Sequence, residues 1–224
     1  NAMAARPPIE GGGVSLCWWA RMCGEWSDEK IDMLVDWMVS PTGLNWNIFR
    51  YNIGGGDDPD NANCEPHHMG KGKGLRAEME GFLDEPGGKY HWERDKGQRK
   101  IMLKIKERRP DAIFEAFSNS APWWMTYSGC CAGHKDPNKD NLKPEYYKAF
   151  AEYLVNVCKH YKDKYGIEFK TLEPFNEPVT NYWYANGSQE GCHFSMEEQV
   201  KFIKILQPVL KASGLKTVLA CSDE

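Results

Sequence analysis

The sequence predicts an α/β fold built on a parallel sheet, and three observations support this prediction. Short runs rich in β-branched and aromatic residues alternate with longer runs whose apolar residues recur at helical spacing. Glycine- and proline-rich stretches separate the two kinds of run. The alternation continues over all 224 residues without an internal repeat. The resulting order, βαβαβαβαβ, fits a doubly wound sheet, which five or six strands complete, or a barrel, which needs eight.

Five segments have the composition of strands. The first follows a run of glycines, and three glycines end the second after Ile53. The fourth contains Leu172 and Phe175, and Pro174 and Pro178 end its pairing because proline has no N–H to donate. The first predicted strand lies within residues 11–19, after the entry glycines 11–13, and the others are residues 44–53, 111–117, 171–177 and 216–221.

Four longer segments are predicted to be helices, each with an apolar stripe. The first begins at Ser27, although Lys30 stands where a capping box has Glu or Gln. The last begins at Ser195, and Glu198 completes a capping box there. The stripe of this last helix is predicted to include Val200. The predicted helices are residues 27–40, 94–108, 144–165 and 195–214.

Charge and aromatic content limit the ligand classes that the protein can bind. The net charge is −4 and no basic stripe is present, which argues against a nucleic-acid partner. The chain has 9 Trp, 10 Tyr and 9 Phe, several of them in predicted loops beside Gly and Pro. Most of these rings are expected in the core, but exposed rings beside carboxylates suit the apolar C–H faces of sugars. A carbohydrate ligand is therefore favoured.

The eight cysteines are too few for a disulfide scaffold in a chain of this length. Those in apolar patterns are predicted to be buried thiols. A disulfide between two of the loop cysteines is an alternative that the sequence leaves open. Two clusters with histidine match no tetrahedral zinc pattern, so we predict no metal and no other cofactor. The predicted thiols are Cys17, Cys158 and Cys221, the loop cysteines are Cys64, Cys130, Cys131 and Cys192, and the clusters are Cys130-Cys131-His134 and Cys64-His67-His68.

Neither a membrane span nor a leader is visible in the sequence. No apolar run approaches the roughly 20 residues that cross a bilayer. Asn1 and Ala2 before Met3 resemble residues left after removal of an expression tag, so residues 1–3 are set apart and a natural leader is expected to have been cut away. The expected location is secreted, periplasmic or on the cell surface.

Polar and aromatic residues follow the predicted strands. Carboxyl ends of the strands in a parallel barrel meet at one face, so these side chains are expected to converge there. The irregular stretch between residues 54 and 92 is longer than most loops and is predicted to form a rim over this face. The residues are Arg50, Asp57 and Asp58 after the second strand, Asn119, Trp123 and Trp124 after the third, Asn176 and Glu177 after the fourth, and Asp223 and Glu224 after the fifth.

These residue types suit the hydrolysis of a glycosidic bond. That reaction needs two carboxyl groups, about 5–5.5 Å apart for retention and about 6.5–9.5 Å apart for inversion of configuration. Glu177 fits the group that donates a proton to the leaving oxygen, since prolines and aromatic residues flank it. Asn176 fits a hydrogen-bond partner of the sugar 2-hydroxyl. Arg50 would hold a second carboxylate in its ionised form.

Four segments in order resemble glycoside hydrolase family 30, and most of all its endo-β-1,6-galactanase-like members. They are residues 9–20, 49–57, 118–125 and 173–178, and the resemblance covers nearly the whole chain from residue 4. It implies a retaining (β/α) eight-stranded barrel with a side β-sandwich. It also implies Glu177 as acid/base, Asn176 as the 2-hydroxyl contact, Arg50, Asp57, Trp123 and Trp124 as glycone-binding residues, and further aromatic contacts from Tyr182, Trp183 and Tyr184.

The resemblance also implies that one reactive group is missing. The nucleophile of the family is a Glu at the end of the seventh strand, whereas this chain is predicted to be a TIM barrel truncated after the fifth. We therefore expect residues 4–224 to be the N-terminal portion of a catalytic domain, inactive alone, that pairs with another copy or with a C-terminal piece. Glu224 is the nearby candidate for a second carboxylate, because neighbouring strands lie about 4.8 Å apart.

Two other functions stay open. One is a carbohydrate-binding module or scaffold that keeps the aromatic face without catalysis. The other is a complete five-stranded nucleotide-binding domain, although neither glycine-rich run matches the dinucleotide fingerprint: Gly11–Gly13 precedes its strand, and Asp57 and Asp58 follow Gly54–Gly56. The expected partner is an oligo- or polysaccharide substrate, with no nucleic acid and no membrane.

Overall fold

The computed structural model describes residues 8–58, 76 and 79–223. Its five strands form one parallel sheet in the order β1-β2-β3-β4-β5. A doubly wound sheet reverses its strand order at a switch point, so this sequential order is that of a (β/α) barrel. The strands are β1 (Gly13–Ser15), β2 (Ile48–Asn52), β3 (Ile113–Phe117), β4 (Thr171–Glu173) and β5 (Val218–Leu219).

Helices connect successive strands, as the alternating pattern predicts. The apolar stripe predicted for the helix over residues 144–165 is confirmed, because its members Phe150, Tyr153, Leu154, Val157 and Tyr161 are all buried. A short helix after β1 was not predicted. The helices are α1 (Trp19–Cys23), α2 (Asp28–Val39), α3 (Lys96–Arg108), α4 (Tyr147–Tyr165) and α5 (Met196–Ala212), with 3-10 turns at Trp123–Met125 and Pro144–Tyr146.

The two faces of the sheet differ in polarity. Side chains alternate between faces along a strand, so Phe49 and Tyr51 lie on the opposite side from Arg50. Tyr51 packs under the helices, with its ring centroid 4.8 Å from that of Tyr161. Arg50 pairs in register with Glu115 of β3. The apolar face therefore holds the helices, and the charged face is the inner face of the barrel, which leads to the site.

The structure corrects the predicted start of α5. Ser195 Oγ accepts the N–H of Glu198, as predicted, but the Glu198 carboxylate accepts from Tyr147 Oη at 2.6 Å and does not return to Ser195. Asp140 instead accepts the Ser195 N–H at 2.7 Å. Val200, predicted to be in the core, is 53% exposed, because the buried face of α5 runs through Phe202 and its successors.

The cysteines differ in part from the prediction. Cys130 forms a disulfide, so one of the loop cysteines is paired. Cys158 is a buried thiol as predicted, whereas Cys17 is only half-buried and Cys221 is exposed because β5 ends before it. Cys64, His67 and His68 lie outside the described residues. Within the described ranges, no group of three or more metal-binding side chains is assembled.

Two expectations concern the surface of the molecule. In the part of the chain that the structure describes, no helix combines the length and apolarity needed to cross a bilayer.

Each outer strand of the sheet, β1 and β5, has one neighbour among the described strands. Such edges can pair with another chain. The expected pairing with a second copy or a C-terminal piece stays a prediction.

Candidate active site

Arg50 on β2 lies at the centre of a cluster of polar groups. Its Nη2 contacts Glu173 Oε2 at 2.7 Å and Asp223 Oδ2 at 3.0 Å. Its Nη1 donates to Asn176 Oδ1 at 3.1 Å. The guanidinium carbon lies 3.6 Å from the centroid of the Phe117 ring, a cation–π geometry. The cluster thus joins the carboxyl ends of four neighbouring strands, β2 to β5, as the strand-end pattern predicted.

Two members of this cluster, Phe117 and Glu173, were absent from the predicted strand-end residues, whereas Asp223 was among them. Glu173 is the last residue of β4 and is buried. Its Oε1 accepts the backbone N–H of Asp223 at 3.0 Å, and Asn176 and Asp223 form an isolated parallel bridge. The period-two alternation along the strands could have identified Glu173. Glu115 is the register partner of Arg50, and Phe117, two residues further, is the register partner of Glu173. Glu173 and Arg50 therefore lie on the same face of the sheet.

Glu177 is held by hydrogen bonds at its carboxylate and on both sides of its backbone. Tyr182 Oη donates to its Oε2 at 2.9 Å, and its backbone N–H points to Asp223 Oδ1 at 3.4 Å. Its carbonyl accepts from Trp183 Nε1 at 2.8 Å and Thr180 Oγ1 at 3.1 Å. These bonds hold a left-handed backbone with φ of 46°, which costs a non-glycine residue about 1 kcal/mol or more.

The Glu177 side chain opens into a pocket of about 420 Å³. Tyr182 and Tyr184 line this pocket and are 49% and 46% exposed. Trp183 also lines the pocket, but it is only 4% exposed, and a side chain at Gly191 would overlap its ring. Trp183 therefore acts mainly as a support for Glu177. The lining residues are Arg76, Glu177, Tyr182, Trp183, Tyr184, Gly187, Ser188 and Gln189.

The predicted residues after β2 and β3 form a second group. The backbone N–H of Trp123 donates to the carbonyl of Gly55 at 3.1 Å, which places it beside the turn that carries Asp57. Trp123 Nε1 and Asn119 Nδ2 are buried donors without a hydrogen-bond acceptor among the described residues. A sugar hydroxyl could accept from such groups. Asn119, which the strand-end pattern included but the predicted contacts did not, thus belongs with the candidates.

Trp124 has a different environment from Trp123. Its Nε1 donates to the carbonyl of Leu83 at 2.8 Å, and its ring meets Tyr146 edge-on at 5.2 Å between centroids. Among the described residues, the structure brings Arg50, Asn176 and Glu177 together through Asp223, but it records no contact between them and Trp124. Whether Trp124 binds the sugar stays a prediction, and Glu224 lies outside the described residues.

Three buried carboxyls have raised pKa values. Burial raises the pKa of Glu173 to about 7, the hydrogen bond with the side-chain carboxyl of Asp223 adds to this, and Arg50 opposes it. Burial also raises the pKa of Glu190 to about 7, against the opposing hydrogen bonds from Gly55 and Asn52. Asp95, at the start of α3, has a pKa raised to about 7 by burial, and Tyr51 and Gln98 counteract this by hydrogen bonding.

These shifts predict that the protein becomes less stable as the pH rises from 5 to 8. A carboxyl whose pKa is higher in the folded state stabilises the fold fully below its unfolded pKa of about 4, and this contribution is lost as the pH passes about 7. We expect each group to remove on the order of 2 kcal/mol. Urea unfolding at several pH values measures the change. Asp95→Asn should flatten the slope, and a free energy of unfolding that increases with pH would contradict the prediction.

Comparison with known proteins agrees with the resemblance seen in the sequence. The chain is 34% identical to an endo-β-1,6-galactanase of Hypocrea rufa, covering 96% of this chain and 46% of that protein. It is 26% identical to an exo-β-1,6-galactobiohydrolase of Bifidobacterium longum subsp. longum, covering 80% of this chain and 15% of that protein. The chain thus spans less than half the length of these relatives.

Solved structures give the same architecture. A conserved exported protein from Bacteroides fragilis matches with a TM-score of 0.82 and 26% identity, over 94% of this chain and 43% of that one. The catalytic domain of a family 30 xylanase C from Talaromyces cellulolyticus matches with a TM-score of 0.68 and 21% identity, over 97% of this chain and 47% of that one, which shows the fold alone. The model of O-glycosyl hydrolase family 30 matches residues 4–224, and the chain belongs to that family.

Proposed function

We propose that the protein is a retaining β-glycoside hydrolase that acts on a β-1,6-linked galactan, with Glu177 as proton donor. The observation that carries the proposal is the placement of Glu177 at a pocket with two exposed tyrosines, beside the Arg50 cluster. The similarity to a β-1,6-galactanase and a β-1,6-galactobiohydrolase supports the choice of linkage and sugar.

The contacts suggest how the residues divide the work. Tyr182 orients the Glu177 carboxyl toward the leaving oxygen, which receives its proton as the glycosidic bond breaks. Arg50 fixes the amide oxygen of Asn176, so the amide nitrogen is the group that can donate to a sugar hydroxyl. In the second half of the reaction, Glu177 takes a proton from water as the glycosyl–enzyme bond is hydrolysed. The tyrosine rings pack against sugar C–H faces.

The second carboxyl group is proposed to come from outside the described residues. Glu173 and Asp223 both bind Arg50, and Glu190 is fully buried, so these carboxyls are poorly placed to attack an anomeric carbon. The family resemblance assigns the nucleophile to the end of a seventh strand. We therefore propose that residues 1–224 alone hydrolyse little or no substrate.

The test compares this chain with an extended form, to which any residues that follow position 224 in the natural reading frame are added. Both are incubated with β-1,6-galacto-oligosaccharides, and NMR follows product formation and anomeric configuration. We expect hydrolysis with retained configuration by the extended form. Inversion, or no hydrolysis, would contradict the proposal. Binding without turnover by the extended form would favour a carbohydrate-binding module, and a melting temperature raised by nucleotides would favour a nucleotide-binding domain.

We also propose that the protein acts outside the cytoplasm, in the medium, in the periplasm or at the cell surface. A β-linked polysaccharide is too large to reach an enzyme inside the cell, and one similar structure is that of an exported protein. Fractionation of the source cells checks this. Recovery of the protein only from the cytosol would contradict it.

A further inference from the structure

Glu190 is a fully buried carboxyl in the loop that follows β4, between the pocket tyrosines and α5. Its exposed fraction is 0%. Its Oε2 accepts from Asn52 Nδ2 at 3.0 Å, and its Oε1 accepts the backbone N–H of Gly55 at 2.9 Å, with a further backbone hydrogen bond from Met79. No salt bridge reaches Glu190 within the described ranges, so amide N–H groups and not a cation satisfy this carboxyl.

The groups that Glu190 binds are themselves rigid. Asn52 is the last residue of β2, and Gln98 of α3 binds both sides of its backbone: Asn52 N–H donates to Gln98 Oε1, and Gln98 Nε2 donates to the Asn52 carbonyl, each at 3.0 Å. Gly55 has no free space around it, because a Cβ there would lie 2.6 Å from both Cys131 Sγ and the Ala121 carbonyl. Glu190 therefore anchors its own loop to a fixed point.

This anchor connects the two sides of the candidate site. Gly55 belongs to the turn that carries Asp57, and the same turn contacts the backbone of Trp123. Glu190 follows directly after Gln189, a lining residue of the pocket that Glu177 and the tyrosines share. The Glu190 side chain thus links the Asp57 turn to the tyrosine loop, the loop after β4 that carries Tyr182, Tyr184 and Glu190. Among the described contacts, this side chain touches neither the pocket nor Glu177.

We propose that Glu190 is a positioning residue that sets the spacing between the Asp57 turn and the tyrosine loop, and so the affinity for the sugar that lies between them. This inference rests on the proposed glycosidase function. Its physical basis is that replacing a buried acceptor leaves donors without a partner. Each such donor has lost its hydrogen bonds to water and gains none in the protein, so the fold loses the full desolvation free energy of that group.

Two variants test the direction of the hydrogen bonds. Glu190→Gln keeps the size of the side chain but places an amide NH₂ against either Asn52 or Gly55, both of which donate. Asn52→Asp combined with Glu190→Gln reverses the pair: the new carboxylate accepts from the new amide, whose oxygen still accepts from Gly55. Glu197→Gln, at an exposed glutamate on α5, is the matched control.

Hydrogen exchange of the chain itself gives a readout that needs no substrate. We expect Glu190→Gln to speed exchange in residues 53–58 about tenfold or more, while α4 changes little, and the double variant to recover part of this loss. In the extended form, KM for galacto-oligosaccharides should rise about tenfold, with a smaller fall in kcat. Unchanged exchange and unchanged KM for Glu190→Gln would overturn the inference, as would a double variant no better than the single one.

The outcomes separate this inference from the proposed function. If the wild-type extended form hydrolyses no glycan, the proposed function fails, and faster exchange in residues 53–58 of Glu190→Gln would still support the anchor. If the wild type is active and Glu190→Gln has normal KM and exchange, the anchor fails and the function stands. Equal acceleration of exchange in α4 would show a general loss of stability and would also overturn the positioning role.

Discussion

Replacing Glu177 with Gln in the extended form should lower kcat on a β-1,6-galacto-oligosaccharide by a factor of about 100 to 10,000, the usual contribution of a general acid. Glutamine keeps an oxygen that can accept from Tyr182 Oη, and the backbone bonds to Asp223 and Trp183 do not involve the side chain. The change thus removes the transferable proton and leaves the supports of the residue in place. Initial rates at saturating substrate measure the effect.

Substrates with different leaving groups separate proton donation from other roles of Glu177. The acidic phenol of an aryl galactoside leaves as a phenolate and needs no proton from the enzyme. Cleavage of its glycosidic bond should therefore be far less affected by Glu177→Gln than cleavage of the oligosaccharide. Glu197→Gln should leave both rates near those of the wild type, because Glu197 is exposed on α5. Near-normal turnover of the oligosaccharide by Glu177→Gln would show that another group donates the proton.

Replacing Arg50 with Met should lower the free energy of unfolding by about 3 kcal/mol at pH 8, in the range seen when one partner of a buried ion pair is removed. The variant leaves the buried Glu173 carboxyl without its cation and releases the Asn176 amide oxygen. Asp223, which is half-exposed, can turn to water and adds less. Urea unfolding of the chain at fixed pH gives the difference.

The effect of Arg50→Met should be smaller at pH 5. Without the guanidinium, the raised pKa of Glu173 rises further, so at pH 5 this carboxyl is neutral and needs no cation. Arg108→Met is a matched control, since the Arg108 side chain is 23% exposed against 21% for Arg50, but its partners Asp32 and Asp36 are both more exposed than Glu173. Its loss should be below about 1 kcal/mol. Equal losses for the two variants, or no pH dependence, would contradict this account.

The sequence was sufficient for the fold class and for the convergence of the strand ends. Both depend on local patterns: the period of the apolar residues separates strand from helix, and alternation with helices makes the sheet parallel. Parallel strands end at one face, so the sequence pattern placed Arg50, Asn176 and Glu177 at that face without specifying which of them would be in contact. The four family-like segments then narrowed the chemistry to glycosidic bonds, and comparison with known proteins confirmed the family.

Only the tertiary structure decided which groups hold the site together. Arg50 is 126 residues from Asn176, and Glu190 is 138 residues from Asn52, so no local pattern could pair them. The same holds for Trp123 and Trp124, adjacent in sequence, of which one lies beside the Asp57 turn and the other is anchored to Leu83. A strand pattern specifies the face on which a side chain lies, whereas its partner depends on how loops from distant segments pack against that face.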